Sequence, residues 1–309
     1  TWTPIFEDET SYSIGCLTVD PGAPETIWVG TGENVSGRHV GFGDGVYRSV
    51  DGGTTFEPRG LEASEHIGSI VVHPDDPNVV WVAAQGPLWS PGGERGVYMT
   101  TDGGDTWTCT LFAGPYAGAG EVILDPQNSD VLYATLHQRH RTVAALMDGG
   151  PESGIHKSTD GGQGGFWRSS DGGASWTKES DYLSGGTGPH YYQEIFASPH
   201  VPGRVYQMDV RLHVTDDGGK SFHKLGHDAK HSDNHALAFD LNDPDYLLAG
   251  CDGGIYQSWD HGATWRFAAN LPVTQFYKVA LDDAEPFYNV YGGTQDNNSQ
   301  TGPSRTLSA

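Results

Sequence analysis

The sequence predicts an all-β fold built from repeated four-stranded antiparallel sheets, and three observations predict it. One short motif recurs along the 309 residues, most copies follow a strand that opens with glycine, and no long amphipathic helical period interrupts them. The composition agrees, because 44 glycines and 11% aromatic residues are typical of many short strands joined by tight turns.

The recurring motif reads Ser or Thr, any residue, Asp, Gly or His, Gly, any residue, Ser or Thr, and then Trp or Phe. The aspartates of the five complete copies are Asp51, Asp102, Asp171, Asp217 and Asp260, and an incomplete copy contains Asp160. We expect the aspartate to accept hydrogen bonds from turn amides, the glycine to take a positive φ, and the aromatic ring to pack between neighbouring sheets. The motif is therefore predicted to be structural rather than catalytic or calcium-binding.

Each motif is part of a larger repeat. A short strand such as residues 45–48 precedes it, and a Pro/Asp/Asn hairpin between two apolar runs lies further upstream, as in residues 69–82. Two strands, a connection, a third strand, the motif and a fourth strand make one blade of a β-propeller. This pattern predicts seven blades. Six of them begin near residues 12, 66, 120, 190, 234 and 275, and the seventh is expected at the gap between the blades that begin near residues 120 and 190.

The spacing of the motifs is irregular at one place. Asp160 and Asp171 are 11 residues apart, whereas a blade needs roughly 40 residues. We therefore expect residues to be missing near 163–164, with a spatial break between Gln163 and Gly164, and also at both ends. The expected domain is a single propeller over residues 1–309 that belongs to a longer chain.

Charge and cysteine content exclude several classes of protein. Forty acidic against 17 basic residues give a net charge of −23, which repels phosphate backbones and argues against a nucleic-acid partner. Such a surface also suits a salty or extracellular medium. No apolar stretch approaches the ~20 residues of a membrane span. Cys16, Cys109 and Cys251 lie too far apart, without a CxxC pair, to indicate a disulfide framework or a zinc site.

The predicted topology places the connections between second and third strands, and those between blades, on one face, with the motifs on the other. The polar residues that follow second strands are Glu33, Asn34, Asp252, Gln295 and Asp296. The polar residues between blades are His190, Tyr191, Tyr192, His231, Asp233 and His235. We expect these groups to surround the mouth of the central channel and to hold a glycan, a peptide or a partner protein.

Three chemical roles are open to this face. Asp252 and Asp296 are the best pair for the acid and base of an inverting glycoside hydrolase, whose carboxylates lie ~6.5–9.5 Å apart. Alternatively, His231, Asp233 and His235 with Asp252 form a candidate site for a divalent cation, because alternate residues of a strand project to one side. In the third alternative the groups only bond one another and water. The long connection 136–149, with His137 and His140, is a further candidate for binding.

The motif resembles the Asp box of the BNR group, which includes sialidases, xyloglucanases, sortilin-type receptors and photosystem assembly propellers. Residues 43–53, 233–237 and 292–297 resemble most closely large exported bacterial proteins described as sortilin-like or glycosyl-hydrolase-like. The resemblance implies an extracytoplasmic protein with further sequence on both sides. Sialidase activity is disfavoured because the few arginines are scattered, while residues 252–256 resemble an aspartate segment of xyloglucanases.

These observations predict an exported binding or scaffolding propeller, located in the periplasm, at the cell surface or in the medium. The alternative is a glycoside hydrolase of the inverting, xyloglucanase-like type. No cofactor is expected other than the optional divalent cation. Further domains of the same chain or an extracellular complex are the remaining expected partners.

Overall fold

The computed structural model describes residues 3–34, 40–148, 165–180, 182, 194–269, 276–294 and 299–305. These residues form 24 strands and one short 3-10 turn, Glu62–Ser64, and contain no α-helix. The all-β prediction is therefore confirmed. The chain divides into two compact units, Thr1–Leu225 and Gly226–Ala309.

The first unit contains four sheets, all of them made of antiparallel strands. The first sheet contains β1 (Ile14–Val19), β2 (Ile27–Thr31), β3 (Val46–Ser49) and β4 (Glu57–Pro58). The second contains β5 (Ile67–Val72), β6 (Val80–Ala84), β7 (Gly96–Thr100) and β8 (Thr108–Leu111). The third contains β9 (Ala117–Asp125), β10 (Asn128–Arg141), β11 (Leu146–Asp148), β12 (Gly165–Ser169) and β13 (Thr177–Ser180). The fourth contains β14 (Ile195–Ala197), β15 (Val205–Gln207), β16 (His213–Thr215) and β17 (His223–Lys224).

The second unit contains two sheets. One has four strands, β18 (Asn234–Asp240), β19 (Asp243–Cys251), β20 (Gly254–Ser258) and β21 (Arg266–Phe267). The other has three, β22 (Phe276–Leu281), β23 (Asn289–Thr294) and β24 (Ser299–Pro303). Six sheets thus lie within the described residues, and the count of seven blades stays a prediction.

The third sheet differs from the arrangement that the motif spacing suggested. The strand around residue 166 was expected to belong to a blade beyond a gap, but β12 pairs directly with β10, from Leu132↔Ser169 to Leu136↔Gly165. The edge of β10 is thereby covered, and the box at Asp171 closes the same sheet. Asp160 and the expected break between Gln163 and Gly164 lie outside the described residues.

The core of the first unit lies between successive sheets. Trp28 of the first sheet packs with Val80 and Val82 of the second, and Trp81, on the opposite side of β6, packs with Leu132 of the third. Every residue of β6 is buried, as expected for a strand covered on both faces. Each sheet therefore depends on its neighbour for much of its apolar burial.

The Asp boxes form nearly identical turns. In the second sheet, Asp102 Oδ1 accepts the Thr106 amide at 2.9 Å and Asp102 Oδ2 accepts the Thr106 hydroxyl at 2.6 Å. Thr100 Oγ1 donates to Asp102 at 2.6 Å and accepts the Gly104 amide at 3.0 Å. These hydrogen bonds to the charged form lower the pKa of Asp102 to about 2. Both carboxylate oxygens of Asp102 therefore accept hydrogen bonds from groups of the same turn.

In the second, third and fourth sheets, the second glycine of the box meets an aromatic ring of the preceding sheet. A Cβ on Gly173 would lie 2.4 Å from Trp81 Nε1, and one on Gly219 would lie 2.1 Å from the ring of Phe166. Both glycines also have positive φ, 83° and 102°, so each is required for conformation and for space. The boxes consequently join sheet to sheet as well as strand to strand.

The first strands of the first three sheets approach one another closely at β-bulges. The bulge in β1 lies between Ile14 and Cys16 and leaves Gly15 outside the register. A Cβ there would lie 2.3 Å from the carbonyl oxygen of Ile67, and one on Gly68 would lie 2.2 Å from that of Gly120. Glycine at these bulges permits backbone to pack on backbone.

Candidate functional site

Each sheet has two ends with different roles, as its hydrogen bonds show. In the first sheet Thr31 N donates to Gly45 O and Gly32 N to Ser13 O, which joins the end of β2 to the starts of β3 and β1. We call this end, with the connections that follow second and fourth strands, the connection face. The boxes lie at the other end, where Gly52 N of the first box donates to Glu25 O. The predicted separation of connections from boxes holds within this sheet.

Glu33 and Asn34 lie on the connection face of the first unit, directly after β2. Glu33 Oε2 accepts the Gly41 amide at 3.0 Å, and the Glu33 amide donates to Gly41 O at 2.9 Å. The backbone oxygen of Asn34 accepts Gln85 Nε2 at 3.2 Å from the second sheet. Both residues therefore hold connections together, and Glu33 is half-buried while doing so.

Five of the predicted site residues lie outside the described residues. They are His190, Tyr191, Tyr192, Gln295 and Asp296. Their assignment to the channel mouth stays a prediction, and so does the pairing of Asp296 with Asp252. Glu33 and Asn34 belong to the first unit, whereas His231, Asp233, His235 and Asp252 belong to the second.

In the second unit the structure brings His235 and Asp252 into contact. His235 Nε2 lies 2.7 Å from Asp252 Oδ1, and their side chains are 40% and 26% exposed. His235 is the bulged residue between Asn234 and Ala236, so the bulge turns its ring toward the end of β19. A glycine occupies the corresponding bulge in the first two sheets. This half-exposed dyad is able to bind a polar group or to transfer a proton.

His231 and Asp233 lie near this dyad but serve the connecting segment. His231 Nδ1 lies 2.9 Å from Ser232 O, and Asp233 Oδ2 accepts the Ser232 hydroxyl at 2.9 Å. Asp233 has a φ of 61°, and its carbonyl accepts the Asp252 amide at 3.1 Å. Among the residues that the structure describes, no three His, Cys, Asp or Glu side chains form a group able to hold a metal ion.

A buried lysine that the sequence did not reveal supports this connection. Lys230 is 7% exposed, and its ammonium lies 5.4 Å from the ring centroid of Tyr256 and 5.5 Å from that of Trp265. It donates to Asn234 Oδ1 and, at 3.2 Å, to His231 O. Burial lowers the pKa of Lys230, which nearby Cys251 and Asp233 partly oppose. The lysine fixes the segment that leads into β18.

The connection face of the first unit also carries aromatic and cationic groups that the sequence analysis did not single out. Trp89 is 46% exposed in the connection between β6 and β7, and Phe112 is 57% exposed after β8. The guanidinium carbon of Arg141 lies 5.9 Å from the ring centroid of Trp89. The available signal was Trp89 within the Pro/Gly-rich segment 86–93.

His66 lies in the connection that enters β5 and is completely buried. Its ring centroid is 5.9 Å from that of Phe42. Burial first, and then the positive charges of Arg139 and Arg95, lower the pKa of His66 to about 3, partly opposed by the nearby backbone of Glu33. The imidazole is therefore neutral at physiological pH and forms part of the packed base of the connection face.

The comparisons with known proteins agree with this architecture. Residues 164–308 match the family model described as sortilin, neurotensin receptor 3. A GH74 xyloglucanase from Xanthomonas campestris is similar with a TM-score of 0.63 and 16% identity over 90% of this chain and 42% of its own. A GH74 enzyme from Niastella koreensis gives a TM-score of 0.57 and 16% identity over 91% and 42%.

The class of protein follows from the sheets and these similarities: the chain has a β-propeller fold, and residues 164–308 resemble sortilin. This confirms the family resemblance that the Asp boxes indicated. The chain spans about two fifths of the length of the two xyloglucanase-type structures. A comparison with curated proteins found no matching sequence. The described residues contain no helix that is long and apolar enough to cross a membrane.

Proposed function

We propose that the chain is an extracytoplasmic binding module that holds a glycan on its connection face. The observation that carries the proposal is the exposure of Trp89 and Phe112 on that face of the first unit. Exposed aromatic rings on ordered connections are typical of binding surfaces, because they supply large contact area at low entropic cost. Sugar rings present apolar C–H faces that suit such platforms.

The carboxylates of the same face support binding over catalysis. Asp44 accepts the hydroxyls of Thr31 at 3.2 Å and Tyr47 at 2.8 Å, and Glu94 accepts the Ala63 amide at 2.9 Å. Glu33 is held by Gly41 in the same way. Carboxylates that hold connections in place are poorly suited to cleave a glycosidic bond, which needs one acid and one base facing the scissile atoms.

The test is binding to immobilised polysaccharides by the wild-type chain and by two variants. We expect wild type to be retained on at least one polysaccharide, and the double variant Trp89→Ala/Phe112→Ala to bind at least about tenfold more weakly, since each stacked ring contributes on the order of 1 kcal/mol. The matched control is Trp259→Ala, whose ring is 49% exposed next to the Asp260 box. Equal binding by both variants, or retention on peptides alone, contradicts the proposal.

A glycoside hydrolase is the second candidate, because the His235–Asp252 contact at 2.7 Å is half-exposed. This function requires Asp252 and Asp296 to act as the acid and the base on opposite sides of the glycosidic bond. Asp252→Asn is then expected to abolish sugar release with little change in melting temperature, measured as reducing ends from the polysaccharide that wild type binds. Binding without release of reducing ends by wild type contradicts this candidate and leaves the first in place.

A further inference from the structure

The strand β10 extends well beyond the sheet that it helps to form. Its pairing with β12 ends at Leu136, and the last residues pair instead with β11, as Arg139↔Asp148 and Arg141↔Leu146. Two connections also hold this extension, since Arg139 N donates to Tyr116 O at 3.1 Å and Arg141 N donates to Leu88 O at 2.8 Å. The hairpin is therefore fixed on the connection face at several points.

The connection that carries Trp89 is equally well fixed, by the fully buried Arg95. Its guanidinium donates to the carbonyls of Gln85 at 2.8 Å, Ser90 at 2.9 Å and Gly92 at 2.8 Å, and also to that of Pro87. A further bond at 3.3 Å reaches Tyr116 O. One arginine thus orders the connections on both sides of β7 and β8, so that Trp89 is held before any ligand arrives.

Trp89 and Arg141 come together on this scaffold. The guanidinium of Arg141 lies over the indole, 5.9 Å from its centroid, while nearly half of Trp89 remains exposed. A second ring pair lies beside this hairpin, where the ring centroids of His140 in β10 and of Tyr116, which precedes β9, are 5.0 Å apart. An aromatic surface with an arginine beside it offers apolar contact and a planar fork of donors that matches a carboxylate.

The surrounding charge limits the kind of anion that suits such a site. The net charge of −23 opposes the approach of a polyanion, but a ligand with one isolated carboxylate meets little of that repulsion because charges beyond ~8 Å are screened at physiological ionic strength. A neutral sugar chain that carries a single acidic branch satisfies both conditions.

We propose that Trp89 and Arg141 form a subsite for a uronic acid borne by an otherwise neutral glycan. The proposal rests on the proposed glycan-binding function and names the sugar class that the connection face prefers. Trp89 supplies contact for any sugar ring, whereas Arg141 supplies the preference for the acidic one. The two contributions are separable, because only the second depends on the ligand's charge.

The test is isothermal titration with xylotetraose and with a xylo-oligosaccharide of similar length that bears one glucuronic acid. We expect wild type to bind the acidic sugar about tenfold more tightly. Arg141→Gln is expected to remove this preference and to leave the affinity for xylotetraose unchanged, and Arg141→Lys to retain part of it. Trp89→Ala is expected to weaken both sugars together. The matched controls are Arg266→Gln, exposed in β21, and Trp259→Ala, which are expected to behave as wild type.

Equal affinity of wild type for the two sugars, or an unchanged preference in Arg141→Gln, overturns this inference. If both sugars bind equally and Trp89→Ala still weakens them, the proposed function stands without the acidic subsite. Binding of neither sugar, with no retention on any polysaccharide, overturns the proposed function itself. Tighter binding of tetraglutamate than of the acidic sugar overturns the assignment to a glycan. Circular dichroism of each variant distinguishes a lost contact from a lost fold.

Discussion

At the scale of single residues, the box carboxylates and the imidazole of His66 both have lowered pKa values, but for different physical reasons. The box carboxylates, such as Asp102, are exposed and have lowered pKa values because hydroxyls and amides of the turn donate to the charged form. His66 is completely buried and has a lowered pKa because its charged form loses solvation. Acid therefore affects the box carboxylates and His66 for different reasons.

His66 predicts a loss of stability as the pH falls. Its pKa is about 3 when folded and 6.5 in the reference state, so the unfolded chain takes up a proton below about pH 6.5 that the folded chain excludes until about pH 3. The free energy of unfolding should fall with decreasing pH across that window, by up to about 1.4 kcal/mol per pH unit. Urea denaturation between about pH 5 and 7 measures this slope.

A pair of histidine variants isolates the contribution of His66. His66→Gln removes the buried imidazole and is expected to flatten the slope by nearly one proton, whatever its effect on stability at pH 7. The exposed His223 in β17 is the matched control, and His223→Gln is expected to retain the wild-type slope. Identical slopes for wild type and His66→Gln would contradict this prediction, because they would show that the imidazole has the same pKa in the folded and unfolded chain.

At the scale of elements, the contact between a box and the preceding sheet is the most testable feature of the fold. Trp81 in β6 is 1% exposed, and its indole nitrogen donates to the carbonyl oxygen of Gly172 at 3.1 Å. The adjacent Gly173 lies against the same ring. One side chain therefore supplies both apolar contact and a hydrogen bond to a turn in the next sheet.

Two substitutions at Trp81 are expected to separate these contributions. Trp81→Phe keeps most of the apolar volume and should cost about 1 kcal/mol for the hydrogen bond to Gly172. Trp81→Ala should cost about 3–5 kcal/mol, as is typical of a large aromatic removed from a core. Chemical denaturation measures both, with the exposed Trp259→Ala as control, expected within ~0.5 kcal/mol of wild type. A cost for Trp81→Ala below that of Trp81→Phe would contradict the packing described.

The sequence predicted those parts of the fold whose hydrogen bonds join residues that lie close together in the chain. The boxes and the strands before them were recognisable, because their bonds join residues only two to four apart, as from Asp102 to Thr106. The pairing of β10 with β12 was not, because it follows from a strand edge that becomes available only in the assembled sheet. Motif spacing alone placed these strands in different blades.

The candidate site also contains residues that a local pattern predicted and residues that only the tertiary structure brings together. Asp252 and His235 were chosen because each follows or precedes a predicted inner strand, and the structure brings them into contact. Trp89 and Arg141 are 52 residues apart, and no local pattern joins them. Their contact arises from the extension of β10 and from the connections ordered by Arg95, which are tertiary features.

At the scale of the whole molecule, the net charge of −23 predicts a strong response to salt. Self-repulsion of like charges destabilises the compact state. Raising the NaCl concentration from about 0.01 M to about 0.15 M shortens the Debye length from ~30 Å to ~8 Å. The melting temperature at pH 7 should therefore rise over this range, as measured by differential scanning calorimetry.

The same salt titration near the isoelectric point provides the control. The sequence isoelectric point is about 4.7, where net repulsion vanishes and added NaCl should change the melting temperature little. A melting temperature at pH 7 that is independent of salt would mean that the acidic residues are arranged among local cations rather than opposing one another across the molecule.

The fit between box glycines and the rings of the preceding sheet has a consequence for how such chains diverge. The ring of Trp81 occupies the space that a side chain at position 173 would need, and the ring of Phe166 does the same at position 219. A substitution at either partner changes what the other tolerates, so the two positions should change together among descendants of a common ancestor. Where drift replaces the ring by a small residue, the constraint of space on the glycine disappears and only that of φ remains. Paired change between adjacent repeats, rather than conservation within each repeat, is then the expected record of this architecture.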